Sequence, residues 1–177
     1  VQIFEVGAEA KLLLKQGAGE GPAWHADYGL FFSGSNGITL YSRNGTSRVF
    51  LKNAGSNGLL LDASGRLLIC QPASRRVARM DLASRELEVL VSGYRGHKFN
   101  QPNDITVDSQ GRIYFSDPRY GDRENMELVD NNGRKIEGVY RIDKDGTVTR
   151  IITHDVDRPN GVVVSADDRY LFVADNN

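Results

Sequence analysis

The chain has 177 residues, 40% of them hydrophobic and 25% charged, and its formal net charge is −1. A near-neutral charge gives no electrostatic reason to expect nucleic acid or an anionic membrane as partner, and no apolar run approaches the roughly 20 residues of a membrane span. The one cysteine, Cys70, excludes an internal disulfide framework. With 19 glycines and only short helix-compatible stretches, the sequence indicates an all-β globular domain and leaves its compartment open.

One sequence frame recurs four times along the chain. Position zero of each copy carries a side-chain oxygen: Glu20, Asn57, Asn103 and Asn160. Position eight is where we expect a tight turn that needs positive φ, and it holds Tyr28, Gly65, Gly111 and Asp168. Position twelve is apolar throughout, with Phe32, Ile69, Phe115 and Phe172. Four copies without a gap predict a repeated β-hairpin.

Two further strand-like runs follow the hairpin in the second and third copies, for example Gly138–Asp143 with Val148–Ile152. Four antiparallel strands form a β-propeller blade, and the spacings of 37, 46 and 57 residues between zero positions lie near the usual blade length of about 40–45. We therefore expect a single propeller domain over residues 1–177. Its blades are predicted at about 20–50, 57–91, 103–152 and, for the start of a fourth, 160–177. We also expect the protein to continue beyond Asn177.

The four zero positions should lie together at one mouth of the central channel. Each opens the inner strand of its blade, and all inner strands run in the same direction. Carboxylate and amide oxygens without sulfur suit a hard cation such as Ca²⁺ or Mg²⁺. A single Asn is more often a turn cap, but four oxygen-bearing residues in one frame favour a metal site. Asn57 is the weakest member, because it alone lacks a neighbouring proline.

Several motifs resemble the gluconolactonase / senescence-marker-protein (regucalcin) family. They are Glu20-Gly21-Pro22-Ala23-Trp24, Gln101-Pro102-Asn103-Asp104, Ser116-Asp117-Pro118-Arg119-Tyr120-Gly121 and Pro159-Asn160-Gly161. The resemblance implies a six-bladed propeller, of which this chain covers about three and a half blades. It also implies one catalytic divalent metal on the axis, most often Ca²⁺, with Mg²⁺, Mn²⁺ or Zn²⁺ as alternatives. Its ligands would be Glu20, Asn103 and Asn160, and a catalytic Asp would lie beyond Asn177.

Two departures from the family pattern affect substrate recognition. Gln101 stands where the animal lactonases carry an Arg, and Gln71 begins a blade-two segment that often holds a His. We expect substrate contacts from Asn57, Gln101, Arg119 and Tyr120. Residues 118–137 form an insertion that is either a lid over the substrate or a solvated loop. Trp24, in an inner strand, is expected in the core.

The resemblance implies a hydrolase that opens a sugar lactone or related lactone, a small-molecule substrate, by polarising its carbonyl and activating water. A phosphotriesterase-like hydrolase would use the same metal site. From another class comes a non-catalytic propeller with calcium as a structural plug. The oligomeric state stays open.

Overall fold

The computed structural model describes residues 5–15 and 18–176. Its strands are β1 (Glu20–His25), β2 (Gly29–Gly34), β3 (Gly37–Ser42), β4 (Ser47–Lys52), β5 (Leu59–Leu61), β6 (Leu67–Gln71), β7 (Arg76–Met80), β8 (Leu87–Val91), β9 (Gly93–Tyr94), β10 (His97–Lys98), β11 (Ile105–Val107), β12 (Ile113–Asp117), β13 (Gly138–Ile142), β14 (Val148–Ile152), β15 (Pro159–Val164) and β16 (Leu171–Asp175). A 3₁₀ turn at Pro72–Ser74 is the helical element among these residues.

The strands form three four-stranded antiparallel sheets in sequence order, β1–β4, β5–β8 and β11–β14. A fourth sheet contains β15 and β16, and the short hairpin β9–β10 lies before the third sheet. The prediction of an all-β chain with four-stranded antiparallel blades is confirmed. No helix within the described residues is long and apolar enough to cross a membrane.

The cores lie between successive blades, because a middle strand presents alternate side chains to the two neighbouring sheets. In β6, Leu67 and Ile69 pack in the cluster shared with the first blade. Leu68 and Cys70 pack in the cluster shared with the third blade. All five residues of β6 are buried as a result. Blade-to-blade burial of this kind is typical of repeat architectures.

The hairpin turns are closed largely by aspartate side chains. Asp62 Oδ1 accepts hydrogen bonds from the backbone N–H groups of Ser64 and Arg66, at 2.9 and 3.0 Å. The predicted positive φ at position eight is confirmed for Gly65, Gly111 and Asp168, at 75°, 77° and 57°.

The first blade differs from the other copies at this turn. The positive φ falls on Gly29, at 118°, so the prediction for Tyr28 is wrong. His25 Nδ1 accepts from the N–H of Asp27 at 3.1 Å, and this side-chain bond replaces the aspartate-closed turn. The residue with positive φ in this turn is thus Gly29, one position later than in the other copies.

The middle and the end of the insertion pack against the body of the protein. Met126, Leu128 and Ile136 are buried, and Glu127 pairs with Arg75 of the second blade at 2.9 Å. Glu127 Oε2 also accepts from the N–H of Lys98 at 2.8 Å. The exposed stretches are 121–125 and 131–135.

The expectation for Trp24 is wrong, because its side chain is 61% exposed. Ala23 is the residue of this pair that is buried in the core shared with the second blade. Since neighbouring residues of a strand point to opposite faces, Trp24 lies on the other face of β1, where the described residues do not cover it.

Candidate metal centre at the inner strands

The zero positions lie within two residues of the start of their inner strands, and backbone hydrogen bonds hold the first three of them. The N–H groups of Asn57 and Asn103 donate to the carbonyl oxygens of Cys70 and Ser116, each at 2.9 Å. Glu20 is likewise paired with Ser33 in the β1–β2 register. In each case the partner is thirteen residues later in the frame. This pairing repeats at Glu20, Asn57 and Asn103, whereas the fourth blade has a register shift between Pro159 and Val162, at Asn160.

The inner strands of successive blades are neighbours: β1 with β5, β5 with β11, and β11 with β15. At the second joint, the contact between the second and third blades, the N–H of Gly58 donates to the carbonyl of Asn103 at 2.7 Å. At the third joint, the N–H of Val162 donates to Asp104 Oδ2 at 2.8 Å. The four zero positions therefore follow one another along the same edge of the arc.

Position thirteen contributes a side-chain bond to the next blade, which the sequence reasoning missed. Ser33 Oγ donates to the carbonyl of Asn57 at 2.6 Å, and Ser116 Oγ donates to the carbonyl of Asn160 at 2.5 Å. In the second blade the equivalent Cys70 Sγ lies 3.7 Å from the carbonyl of Asp104. In the sequence, the recurrence of Ser, Cys and Ser at position thirteen could have indicated these bonds between blades.

The predicted ligands keep oxygen atoms free. Within the described part of the chain, no hydrogen bond engages the side chains of Glu20, Asn57 or Asn103. Asn103 is only 5% exposed, but its amide atoms are not among the buried polar atoms without a partner, so they remain accessible to solvent or a ligand. Asn160 uses Nδ2 to donate to Tyr120 Oη at 2.6 Å, which leaves Oδ1 free. One carboxylate and two amide oxygens fit a hard cation.

Among residues 5–15 and 18–176, no group of three or more His, Cys, Asp or Glu side chains is placed to hold a metal ion. The set predicted from sequence contains one carboxylate and two amides, Glu20, Asn103 and Asn160, so it is a different kind of donor set. Its assignment as a metal site stays a prediction.

Three of the residues predicted to contact substrate bind other parts of the protein. Gln101 Oε1 accepts from the N–H of Tyr120 at 2.8 Å. Arg119 Nε donates to the carbonyl of Asp122 at 2.6 Å. Tyr120 Oη accepts from the side-chain amides of Asn160 and Asn176. The structure thus brings Gln101, Tyr120 and Asn160 into one network and holds Arg119 within the insertion. A direct contact of any of them with substrate stays a prediction.

A buried carboxyl group that sequence reasoning did not single out lies at the end of β12. Asp117 is 0% exposed, and this burial raises its pKa to about 8 although Oδ2 accepts from the N–H of Asn100. Oδ1 of Asp117 and Oδ1 of Asn100 are both buried without a hydrogen-bond partner among the described residues. A proton on Asp117 turns one of these acceptors into a donor.

The chain is similar to proteins of known sequence and known structure. A gluconolactonase of Zymomonas mobilis is 32% identical over 126 residues, which are 71% of this chain and 35% of that protein. The X-ray structure of a protein described as a gluconolactonase has a TM-score of 0.84 at 30% identity, covering 97% of this chain and 61% of that one.

A gluconolactonase from Xanthomonas campestris, described as important in glucose secondary metabolic pathways, has a TM-score of 0.73 at 32% identity. The match covers 88% of this chain and 54% of that structure. The chain therefore spans about a third of the Zymomonas protein and somewhat more than half of each of the two structures. A family model for the SMP-30/gluconolactonase/LRE-like region matches residues 18–177. The chain belongs to this family.

Proposed function

We propose that this chain forms part of a calcium-dependent lactone hydrolase that opens a sugar lactone or a related lactone. The observation that carries the proposal is the row of zero-position side chains. Glu20 and Asn103 pair with the residue thirteen positions later, the carbonyl of Asn160 accepts from Ser116 Oγ, and all three side chains keep oxygen atoms free. The gluconolactonases that the chain resembles support the reaction class.

Glu20, Asn103 and Asn160 would hold the metal. When bound, a divalent cation polarises the lactone carbonyl and stabilises the negative charge that develops on its oxygen as water attacks. Glu20 contributes one negative charge and the two amides contribute none, so the donor set neutralises only half of a divalent charge. We assign no residue of this chain as the general base.

Uncharged polar groups near the candidate metal site support a neutral substrate. Gln101, Tyr120 and Asn57 lie at or beside the inner-strand edge and carry amide or hydroxyl groups. Such groups recognise sugar hydroxyls and a ring carbonyl by hydrogen bonds and do not require an anionic substrate. We therefore favour a neutral hydroxylated lactone.

The purified protein should be assayed against glucono-δ-lactone, simple γ-lactones and paraoxon, with calcium and with a chelator. Lactone turnover that chelator removes and calcium restores, while the thermal unfolding temperature changes little, is the expected result. Preferential turnover of paraoxon would replace the lactonase by a phosphotriesterase. Loss of thermal stability on chelation, with no turnover of any substrate, would identify the calcium as a structural plug and overturn the proposal.

A further inference from the structure

Tyr120 connects two sequence-distant parts of the candidate site. Its backbone N–H donates to Gln101 Oε1 at 2.8 Å, so the residue is fixed against the segment that leads into Asn103. Its ring lies beside the guanidinium of Arg158, whose Cζ is 5.6 Å from the ring centroid. Both contacts restrict where the phenol oxygen of Tyr120 can lie. That oxygen reaches the start of β15.

The phenol oxygen accepts two hydrogen bonds there. Asn160 Nδ2 donates to it at 2.6 Å and Asn176 Nδ2 donates at 2.8 Å. A phenol oxygen has two acceptor lone pairs and one O–H donor. In the structure both amides direct their NH₂ group, and not their oxygen, towards Tyr120, and the O–H of Tyr120 stays available to donate elsewhere.

This contact determines which edge of the Asn160 amide is available to a ligand. A side-chain amide has nearly the same shape in its two flipped orientations, and the hydrogen-bond network selects between them. With Nδ2 bound to Tyr120, the free edge carries Oδ1, which attracts a cation. In the flipped orientation the free edge would carry N–H groups, which repel one.

We propose that Tyr120 is a positioning residue whose hydroxyl orients the amide of Asn160 so that Oδ1, and not Nδ2, is presented to a bound cation. The inference rests on the proposed function for the identity of that cation. Gln101 has a supporting role, because its side chain holds the backbone of Tyr120. Tyr120 thereby acts on the proposed metal site through Asn160, even without touching substrate. Gln101, which stands where the animal lactonases carry an Arg, acts on the same site through Tyr120.

The test compares Tyr120→Phe, which removes only the hydroxyl, with Tyr170→Phe as a matched control. Tyr170 is 58% exposed and its hydroxyl is not part of this network. Calcium binding is measured by isothermal titration calorimetry, and the assigned side-chain amide resonances of Asn160 and Asn176 are followed by NMR without metal. Tyr120→Phe should weaken calcium binding roughly 3- to 10-fold, the effect of losing one neutral hydrogen bond, and should shift both amide resonance pairs.

A double-mutant cycle with Asn160→Ala separates positioning from a general structural effect. In the Asn160→Ala background, adding Tyr120→Phe should leave calcium affinity unchanged, because the amide that Tyr120 orients is absent. An equal loss of affinity in both backgrounds would overturn the inference, as would unmoved Asn160 resonances in Tyr120→Phe. If the wild-type protein binds no calcium, the proposed function fails, and the Asn160 resonances alone decide whether Tyr120 positions this amide.

Discussion

The N–H of Gly58 donates to the carbonyl of Asn103 across the joint between the second and third blades, at 2.7 Å. This approach is possible because Gly58 lacks a side chain. A Cβ at this position would lie 2.5 Å from the same carbonyl oxygen and 2.8 Å from the Cα of Asp104. Gly21 occupies the equivalent position of the first blade, with φ of 58°, and its Cβ would meet the carbonyl of Asn57 at 2.5 Å. Glycine at position one thus allows the blades to pack closely.

We expect Gly58→Ala to destabilise the protein by roughly 1–3 kcal/mol, because backbone atoms must move to admit the methyl group. Gly161→Ala is the matched control. Its Cβ would meet the Cβ of Ala174 at 3.6 Å, an ordinary contact, and the free energy of unfolding should change by no more than about 0.5 kcal/mol. Urea denaturation of the two variants measures both values. Equal stability of the two would contradict the close-packing argument.

Glu20→Gln should abolish metal-dependent lactone hydrolysis and change the thermal unfolding temperature only modestly. The substitution keeps the shape of the side chain and removes the one negative charge of the predicted ligand set. Glu20 is exposed at the start of β1, so the fold does not depend on its carboxylate. Calcium titration and the lactone assay check the prediction. Full activity in this variant would remove Glu20 from the site.

The free energy of unfolding should fall as pH rises from about 4 to about 8 through the contribution of Asp117. Burial raises its pKa from 3.8 to about 8 in the folded protein, so in this window the folded state retains a proton that the unfolded state has released. Linkage then predicts a loss of up to about 1.4 kcal/mol per pH unit. Asp117→Asn should make the stability profile flatter, because the amide does not titrate and can donate to Asn100.

Asp145→Asn is the control for this profile. Asp145 lies in an exposed turn, where a hydrogen bond from the backbone of Thr147 lowers its pKa. Its contribution to stability is therefore lost only as pH falls towards the acid range, and the slope between about pH 5 and about pH 8 should match the wild type. Chemical denaturation at several pH values gives all three profiles. A wild-type slope in the Asp117→Asn variant would show that Asp117 is ionised in the folded protein.

Cys70 should not react with a thiol reagent such as DTNB in the folded protein at about pH 8. Burial, and then the negative charge of Asp104, raise the pKa of its thiol, and the thiolate is the reactive form. The thiol should react fully in about 8 M urea, where these causes disappear. Rapid labelling of the native protein would show that the joint between the second and third blades opens easily.

The repeat frame explains why much of the fold could be predicted from sequence. Apolar residues at a fixed spacing, and Gly or Asp at the turns, directly determine hairpins. Local side-chain contacts explain the failures: His25 shifts one turn to Gly29, and Trp24 points away from the core that Ala23 joins. The network of Gln101, Tyr120 and Asn160 joins residues up to 59 positions apart. No periodic pattern could indicate those partners.

The insertion shows a similar limit. Its charged composition suggested either a lid or a solvated loop, and both readings treat it as one segment. Met126 and Leu128 form a packed middle between the exposed stretches 121–125 and 131–135, and Ile136 is buried again at the end of the insertion. The loop is too short for a repeating apolar pattern, so little in the sequence indicated that these apolar residues would be buried.

The hydrogen bonds between neighbouring blades do not involve the side chains that are proposed to bind the metal. The carbonyls of Asn57, Asn103 and Asn160 each accept a hydrogen bond from the neighbouring blade, through Ser33 Oγ, Gly58 N and Ser116 Oγ respectively. None of these bonds uses a zero-position side chain. Replacing a zero-position side chain therefore alters the donor set without removing a joint bond. Such a scaffold can exchange one ligand chemistry for another, by single substitutions, while the blades keep their packing.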